Sequence, residues 1–361
     1  MLAVELETPA LVVDLDILKA NIAKMADFAR VHGLKLRPHI KAHKITQIAE
    51  LQLEYGACGL TTSKLSETEA LDLPDADFLL AYQLVDPRKA KRLFQFPKIS
   101  TLVDSSKGVE VLAAASRGRK LPVLVEVDTG LGRAGVRTRE ELLALVEEIK
   151  RVPSLEFAGI LTHAGHAYSA TSFQEVEKIG RYEGEAMVEL VGFLQEAGHR
   201  VETVSVGSTP TAKIAGQVPG VTEIRPGNYV FNDAIQVALG VAEEKDCALS
   251  VLSTVISPPQ RGRAIIDAGS KVLALDKGAH GTSLVQGFGM VKGYPSVVIE
   301  RLSEEHGILS FPPEVELEIG QVLEIIPNHA CPVVNLASDV CVVQAGEVVD
   351  LWFVAARGKV Q

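Results

Sequence analysis

The chain has 361 residues, of which 47% are hydrophobic and only 5% aromatic, and its 36 basic and 46 acidic side chains leave a net charge of −10. An acidic chain without a Lys/Arg stripe interleaved with aromatics lacks the electrostatic footprint of a nucleic-acid binder, and no run of about 18 uncharged apolar residues offers a membrane span. The first residues, MLAVELETPALVVDLD, carry no basic segment ahead of an apolar core, and four cysteines (Cys58, Cys247, Cys331, Cys341) are too sparse for a disulfide framework, so a cytoplasmic protein is expected.

From Asp14 onward, amphipathic helical stretches alternate with short aliphatic runs. The first, ILKANIAKMADFARVHG, repeats apolar residues at three and four positions, as does TREELLALVEEIKRV further on. Eight runs follow the strand pattern: Leu34 to Lys41, Cys58 to Ser63, Asp77 to Tyr82, Ile99 to Asp104, Val123 to Asp128, Phe157 to His163, Val201 to Gly207 and Val221 to Tyr229. That number of alternating units predicts an α/β chain with a (β/α)8 TIM barrel over residues 9–235. After about Asn232 the segments CALSVLSTVIS, RGRAIIDAG, YPSVVIERL, HGILSF, QVLEIIP and VCVVQAGEVVDLWFVAARG read as strands joined by turns. Residues 1–8 plus 236–361 are therefore expected to form a second, mainly antiparallel β domain packed closely on the barrel.

Within the first run, LKLRPHIKAHK read as a strand places Lys35, Arg37, His39, Lys41 and His43 on one face. Taken alone, the stretch also reads as an edge strand with its polar face in water. Inside a barrel such a stripe is unfavourable unless its members pair or meet a ligand near the C-terminal rim, where active sites form. Alternation selects Lys41 rather than Lys44 for the inward set, and neighbouring cations lower a lysine's proton affinity, which suits an amine that must attack a carbonyl.

The motifs TPALVVDLDILKANI, RPHIKAHK, VEVDTGLGRAGV, GILTHAGHAY, SVGSTPT, EIRPGNYVFND, IDAGSK and PNHACPVVNL occur in this order. Together they resemble the D-threonine aldolase and D-serine dehydratase family of fold-type III pyridoxal-phosphate enzymes, over nearly the whole chain and both domains. The resemblance implies pyridoxal 5'-phosphate held by Lys41 as a Schiff base, with His39 on the same face, Arg133 near the phenolic oxygen and His163 beside the ring. The phosphate is expected where GSTPT opens a helix, at Gly207, Ser208 and Thr209, because free N–H groups and hydroxyls there bind anions. A second loop, RPGNY, contributes Gly227 and Asn228. Arg225 is a candidate to face the ring nitrogen, and Tyr168 competes with it.

His329 and Cys331 stand two apart, so on a strand both would point the same way and could share one divalent ion. Alone, a His-x-Cys pair more often means a packed imidazole and a buried thiol. The resemblance reverses this reading, because a metal-binding His with Cys or Asp two positions on characterises the family's second domain. Imidazole and thiolate suit zinc, with manganese, magnesium or cobalt as alternatives. The implied substrate is a small 3-hydroxy-D-amino acid whose β-hydroxyl meets the metal. Retro-aldol cleavage to glycine and an aldehyde would use His166 as base; dehydration to a 2-oxo acid and ammonia would use Lys41 at Cα. In the family Cys is commoner in the dehydratases, whereas thiolate damping of the metal's Lewis acidity and the histidine pair of HAGHAY favour aldol cleavage. A D-threonine aldolase type of lyase is the expectation, with D-serine or 3-hydroxy-D-aspartate dehydration as the alternative. A racemase would bring a tyrosine from the β domain, and a non-catalytic cofactor carrier would resemble the barrel alone. The family also implies a homodimer with shared active sites.

Overall fold

Asp14 starts the alternation: its carboxylate accepts the Ile17 N–H at 2.9 Å and so caps the helix Leu15–Val31. That helix turns Leu18, Ile22, Met25 and Ala29 inward, as its spacing requires. Thr138 and Glu141 form a reciprocal cap on Arg139–Arg151, and Pro87 opens Pro87–Leu93, where a missing N–H does no harm.

The computed structural model describes residues 1–278 and 284–361. Its strands begin with β1 (Ala10–Asp14), followed by β2 (Lys35–Leu36), β3 (Leu60–Thr62), β4 (Phe78–Leu80), β5 (Ile99–Val103), β6 (Leu121–Glu126), β7 (Leu155–Leu161), β8 (Thr203–Val206) and β9 (Glu223–Ile224). Strands β2 to β9 form one parallel sheet in the order β2-β9-β8-β7-β6-β5-β4-β3. Its two ends meet where His39 bridges Thr61 and Cys58 donates its N–H to the Leu36 carbonyl at 2.8 Å, so the eight strands close into the expected barrel. Each of the eight aliphatic runs overlaps one of these strands. Leu79, Leu102, Leu124 and Leu161 pack together inside, while Phe78, Leu80, Val103 and Val123 face the helices. The opposite side of the interior is polar: Arg37 donates to Glu223 at 3.0 Å and to Asp77 at 2.7 Å, and Ser205 donates to Glu223 at 2.5 Å.

The remaining strands are β10 (Leu249–Gln260), β11 (Arg263–Ile266), β12 (Met290–Val291), β13 (Val298–Leu302), β14 (Gly307–Ser310), β15 (Val322–Ile326), β16 (Asp339–Gln344) and β17 (Glu347–Phe353). They form a nine-stranded sheet with β1, in the order β11-β14-β13-β12-β15-β10-β1-β16-β17, and β11 also pairs with β10 to close six of them. Every pairing is antiparallel except β1 with β16. Strand β1 was expected in the barrel, from residue 9, and instead lies here between β10 and β16. Leu11, Val12 and Val13 are all buried, and such a run fits either sheet; only its pairing partners decide. No described helix is long and apolar enough to cross a membrane.

The stretch HIKAHK departs from the strand reading. Strand β2 ends at Leu36, Pro38 has no N–H to give, and the His39 ring nitrogen Nδ1 accepts the Lys41 N–H at 3.4 Å at the start of the 3-10 turn Ile40–Ala42. Alternation therefore stops before Lys41. Lys35 is exposed, and His43 is buried in the core 6.4 Å from the Phe231 ring, its Nδ1 accepting the Ile45 N–H at 3.1 Å. Burial lowers the His43 pKa to about 4 from 6.5. The folded state binds this proton less readily than the unfolded chain, so stability present above pH 6.5 is lost as pH falls toward 4. Between pH 7 and pH 5 the loss from this group is about 2 kcal/mol, to be read as the part of the change in chemical-denaturation free energy that disappears in His43→Gln.

Candidate active site

A cavity of ≈ 310 Å³ opens at the C-terminal ends of the barrel strands, lined by His39, Lys41, Glu126, Arg133, His163 and Arg225, over the side chains of Leu102 and Leu161. This is the rim where a closed parallel barrel presents its loops. The 3-10 turn, rather than strand parity, brings Lys41 into it. Lys44, at φ 57°, points elsewhere: its ammonium lies 2.9 Å from Asn335 Oδ1 and 3.3 Å from Glu67 Oε1.

Burial is the largest influence on Lys41 and lowers its pKa; Cys331 and Glu67 oppose this, and Arg133 and Arg225 reinforce it. His39 is held well below the usual histidine range, first by burial and then by Lys41, His163 and the two arginines, so its ring is neutral and able to accept the Lys41 N–H. Arg225 is fixed by donation from Nη1 to Ser205 Oγ at 2.5 Å and from Nη2 to the Thr162 carbonyl. Arg133 is half exposed and reaches Glu126 at 3.5 Å. Burial raises the pKa of Glu126, against Arg133 and Arg225. Tyr168 does not line the cavity. It is packed beside Thr209 and Gln236, and burial pushes its phenol pKa up.

His166 is also absent from that wall. The turn Gly165–Ser169 carries it away from the strand end that presents His163, and it packs on the loop after β6, where a Cβ on Gly130 would lie 3.4 Å from the imidazole. Burial lowers its pKa and Asp128 opposes.

The two glycine-containing loops meet: the Tyr229 N–H donates to Thr209 Oγ1 at 3.2 Å. A Cβ on Gly227 would lie 2.8 Å from the His39 carbonyl oxygen, so only glycine allows this approach to the cavity wall. The donors differ from those expected. Gly207 N–H is taken by Glu183 Oε1 at 2.8 Å and Ser208 N–H by Thr211 Oγ1 at 3.0 Å, and the following helix, Ala212–Ala215, is a single turn. The Asn228 side-chain amide donates to Asp233 at 2.5 Å. The backbone N–H groups of Thr209, Gly227 and Asn228 donate to no backbone or side-chain acceptor among the described residues. Three unpaired backbone donors on two loops that meet beside a cavity containing a deprotonatable lysine fit a phosphorylated aldehyde.

His329 and Cys331 do come together, but not on a strand. His329 is the cap residue of the helix Ala330–Leu336, Cys331 lies in its first turn, and the two side chains are close enough to interact electrostatically. His329 Nδ1 is 2.7 Å from Asp276 Oδ2, which leaves Nε2 for the ion. No group of three or more His, Cys, Asp and Glu converges as a ligand set among the described residues. A two-ligand site with open positions fits a catalytic rather than a structural ion. Asp276→Ala is expected to weaken zinc binding about 10–100-fold by freeing the imidazole to rotate, measured by competition with a chromophoric chelator.

Asp276, Asp233 and Glu183 went unread in the sequence. Glu183 occupies a buried position on the apolar face of Phe173–Glu196, with Val176, Gly180 and Met187, and an acid in such a stripe is a legible signal. Asp233 with Gln236 three residues on was a readable cap. Asp276 lies 53 residues from its partner, and nothing local marks it.

Residues 13–234 match the alanine racemase N-terminal domain and residues 248–343 the putative serine dehydratase domain. The chain is 34% identical to D-threo-3-hydroxyaspartate dehydratase of Delftia sp. (90% of this chain, 91% of that one) and 33% identical to D-threonine aldolase of Arthrobacter sp. (98% and 93%). The chain belongs to the D-threonine aldolase and D-serine dehydratase family. Its relatives are pyridoxal-phosphate-dependent lyases, and it is an enzyme of that class. The crystal structure of D-threonine aldolase from Filomicrobium marinum superposes with a TM-score of 0.91 at 29% identity, covering 99% of this chain and 98% of that one. Structures of D-threo-3-hydroxyaspartate dehydratase include a His-to-Ala mutant and, two positions on, a Cys-to-Ala mutant in the metal-free form; the latter has a TM-score of 0.90 at 33% identity, covering 98% of each chain.

Proposed function

We propose that the enzyme dehydrates 3-hydroxy-D-amino acids to 2-oxo acids and ammonia, with pyridoxal 5'-phosphate on Lys41 and a divalent ion, zinc first, on His329 and Cys331. When bound, the cofactor withdraws electrons from the substrate's Cα, and the ion polarises the β-oxygen. Thr209, Gly227 and Asn228 would hold the phosphate through their N–H groups, Arg225 the ring nitrogen, Arg133 the phenolic oxygen, and His163 would flank the ring, with Tyr168 supporting the phosphate loop from behind. Lys41 Nζ, its ammonium form disfavoured by burial, takes the proton from Cα. His39, neutral and bonded to the Lys41 N–H, keeps that turn in place.

The observation that carries dehydration over aldol cleavage is the position of the two candidate bases: Lys41 lines the cavity and His166 does not. The His-x-Cys spacing also matches that of the mutated residues in D-threo-3-hydroxyaspartate dehydratase. Retro-aldol cleavage is the second reading, supported by the D-threonine aldolase relative and by a 3-hydroxy-D-aspartate aldolase of Paracoccus denitrificans, 31% identical over 98% of this chain. Products decide. With D-threonine and D-threo-3-hydroxyaspartate, 2-oxobutanoate and oxaloacetate with ammonia are expected; glycine with acetaldehyde or glyoxylate overturns dehydration in favour of aldol cleavage, and no product with either substrate overturns both. A cytoplasmic homodimer, in which one subunit's β domain completes the other's barrel site, belongs to the same proposal.

A further inference from the structure

Asp233 stands between the two halves of the site. It is fully buried and caps the helix Ala234–Ala238, with Oδ1 accepting the Gln236 N–H at 3.1 Å. Its other oxygen, Oδ2, accepts two donors at once: the Asn228 side-chain amide at 2.5 Å and the Ala330 N–H at 3.0 Å. Asn228 belongs to the phosphate loop, and Ala330 lies between His329 and Cys331. Backbone bonds run alongside, from Ala234 N–H to the Pro327 carbonyl at 3.0 Å and from Ile235 N–H to the Asn328 carbonyl at 3.4 Å. The buried Asn228 Oδ1 has no hydrogen-bond partner among the described residues, so Asp233 is what its side chain is anchored to.

We propose that Asp233 is a positioning residue that couples the cofactor site to the metal site, so that cofactor and ion each bind more tightly when the other is present. The proposal rests on the assignment of those two sites above. A buried oxygen that loses a donor is left with unmet acceptor capacity, so a conformation that satisfies both arms of Oδ2 is preferred over one that satisfies only one. Ordering Asn228 and its loop around a phosphate holds Oδ2 in place. That in turn holds the first turn of the helix that presents Cys331. The same chain of contacts works in reverse, as linkage requires.

The test is zinc affinity, by chelator competition, for the cofactor-loaded enzyme and for the same enzyme stripped of cofactor. Loaded enzyme is expected to bind zinc about ten-fold more tightly, and zinc-loaded enzyme to bind cofactor more tightly than chelator-treated enzyme by the same factor. In Asp233→Asn the amide nitrogen must face either the Gln236 N–H or the Asn228 and Ala330 donors, so the capped turn and the two arms cannot all be satisfied; both ligands bind more weakly and the ratio falls to about one. If that variant does not fold, Asn228→Ala removes only the loop arm and is expected to lose the ratio as well. Equal zinc affinity with and without cofactor in the unmodified enzyme overturns the coupling alone, as does a ratio that survives in the variants. Zinc that binds neither form, or cofactor that never loads, overturns the functional assignment together with it.

Discussion

Lys41→Ala is expected to remove the visible absorbance of bound pyridoxal phosphate and to lower kcat by about 10³-fold or more, because one side chain is both the covalent anchor and the base at Cα. Cofactor binding should weaken without vanishing, since the backbone donors of Thr209, Gly227 and Asn228 are untouched. Lys44→Ala provides the contrast. Lys44 is buried against Glu67 and Asn335, so its loss leaves an uncompensated carboxylate and should destabilise the fold by about 3–5 kcal/mol, measured by chemical denaturation, while the cofactor absorbance is retained. Loss of absorbance in Lys44→Ala but not in Lys41→Ala would reverse the assignment of the two lysines.

Cys331→Ala and His329→Ala are each expected to lower turnover about 10²-fold or more through loss of the Lewis acid, with cofactor absorbance intact on Lys41. Metal content after dialysis should fall in step with activity. Cys331→Asp should keep a two-ligand site but move its preference from zinc toward manganese or magnesium, because an oxygen donor replaces a soft sulfur. The direct check is a chelator: activity that survives prolonged treatment, with zinc shown to be absent, sinks the metal assignment.

The periodicity of the chain was enough to place eight strands between helices, because alternation of amphipathic and aliphatic segments is a local property that the barrel preserves. It was not enough to assign β1. Leu11 to Val13 carry no mark of which sheet buries them, and the choice rests on β10 and β16, more than two hundred residues away. The site residues divide in the same way. His39 and Lys41 were read from the polar face of the first run, Arg133, His163 and Arg225 from the resemblance to the family, and the cavity brings all five together. His166 was read from its neighbourhood to His163 in sequence, and a short turn places it behind the Gly130 loop instead.

The sequence by itself determined the fold class and the family, since periodicity and motif order survive without knowledge of contacts. Why Lys41 enters the cavity was decided only by the tertiary structure: strand parity does not carry it there, because the strand stops at Leu36 and the neutral His39 ring starts a 3-10 turn. The partners that set the chemistry were equally out of reach of local patterns. Asp276 orients His329 across 53 residues, and Asp233 reaches Ala330 across 97. A hydrogen bond between groups so far apart in the chain leaves no periodic or compositional trace, because it depends on which surfaces the packed barrel and β domain bring within about 3 Å of one another.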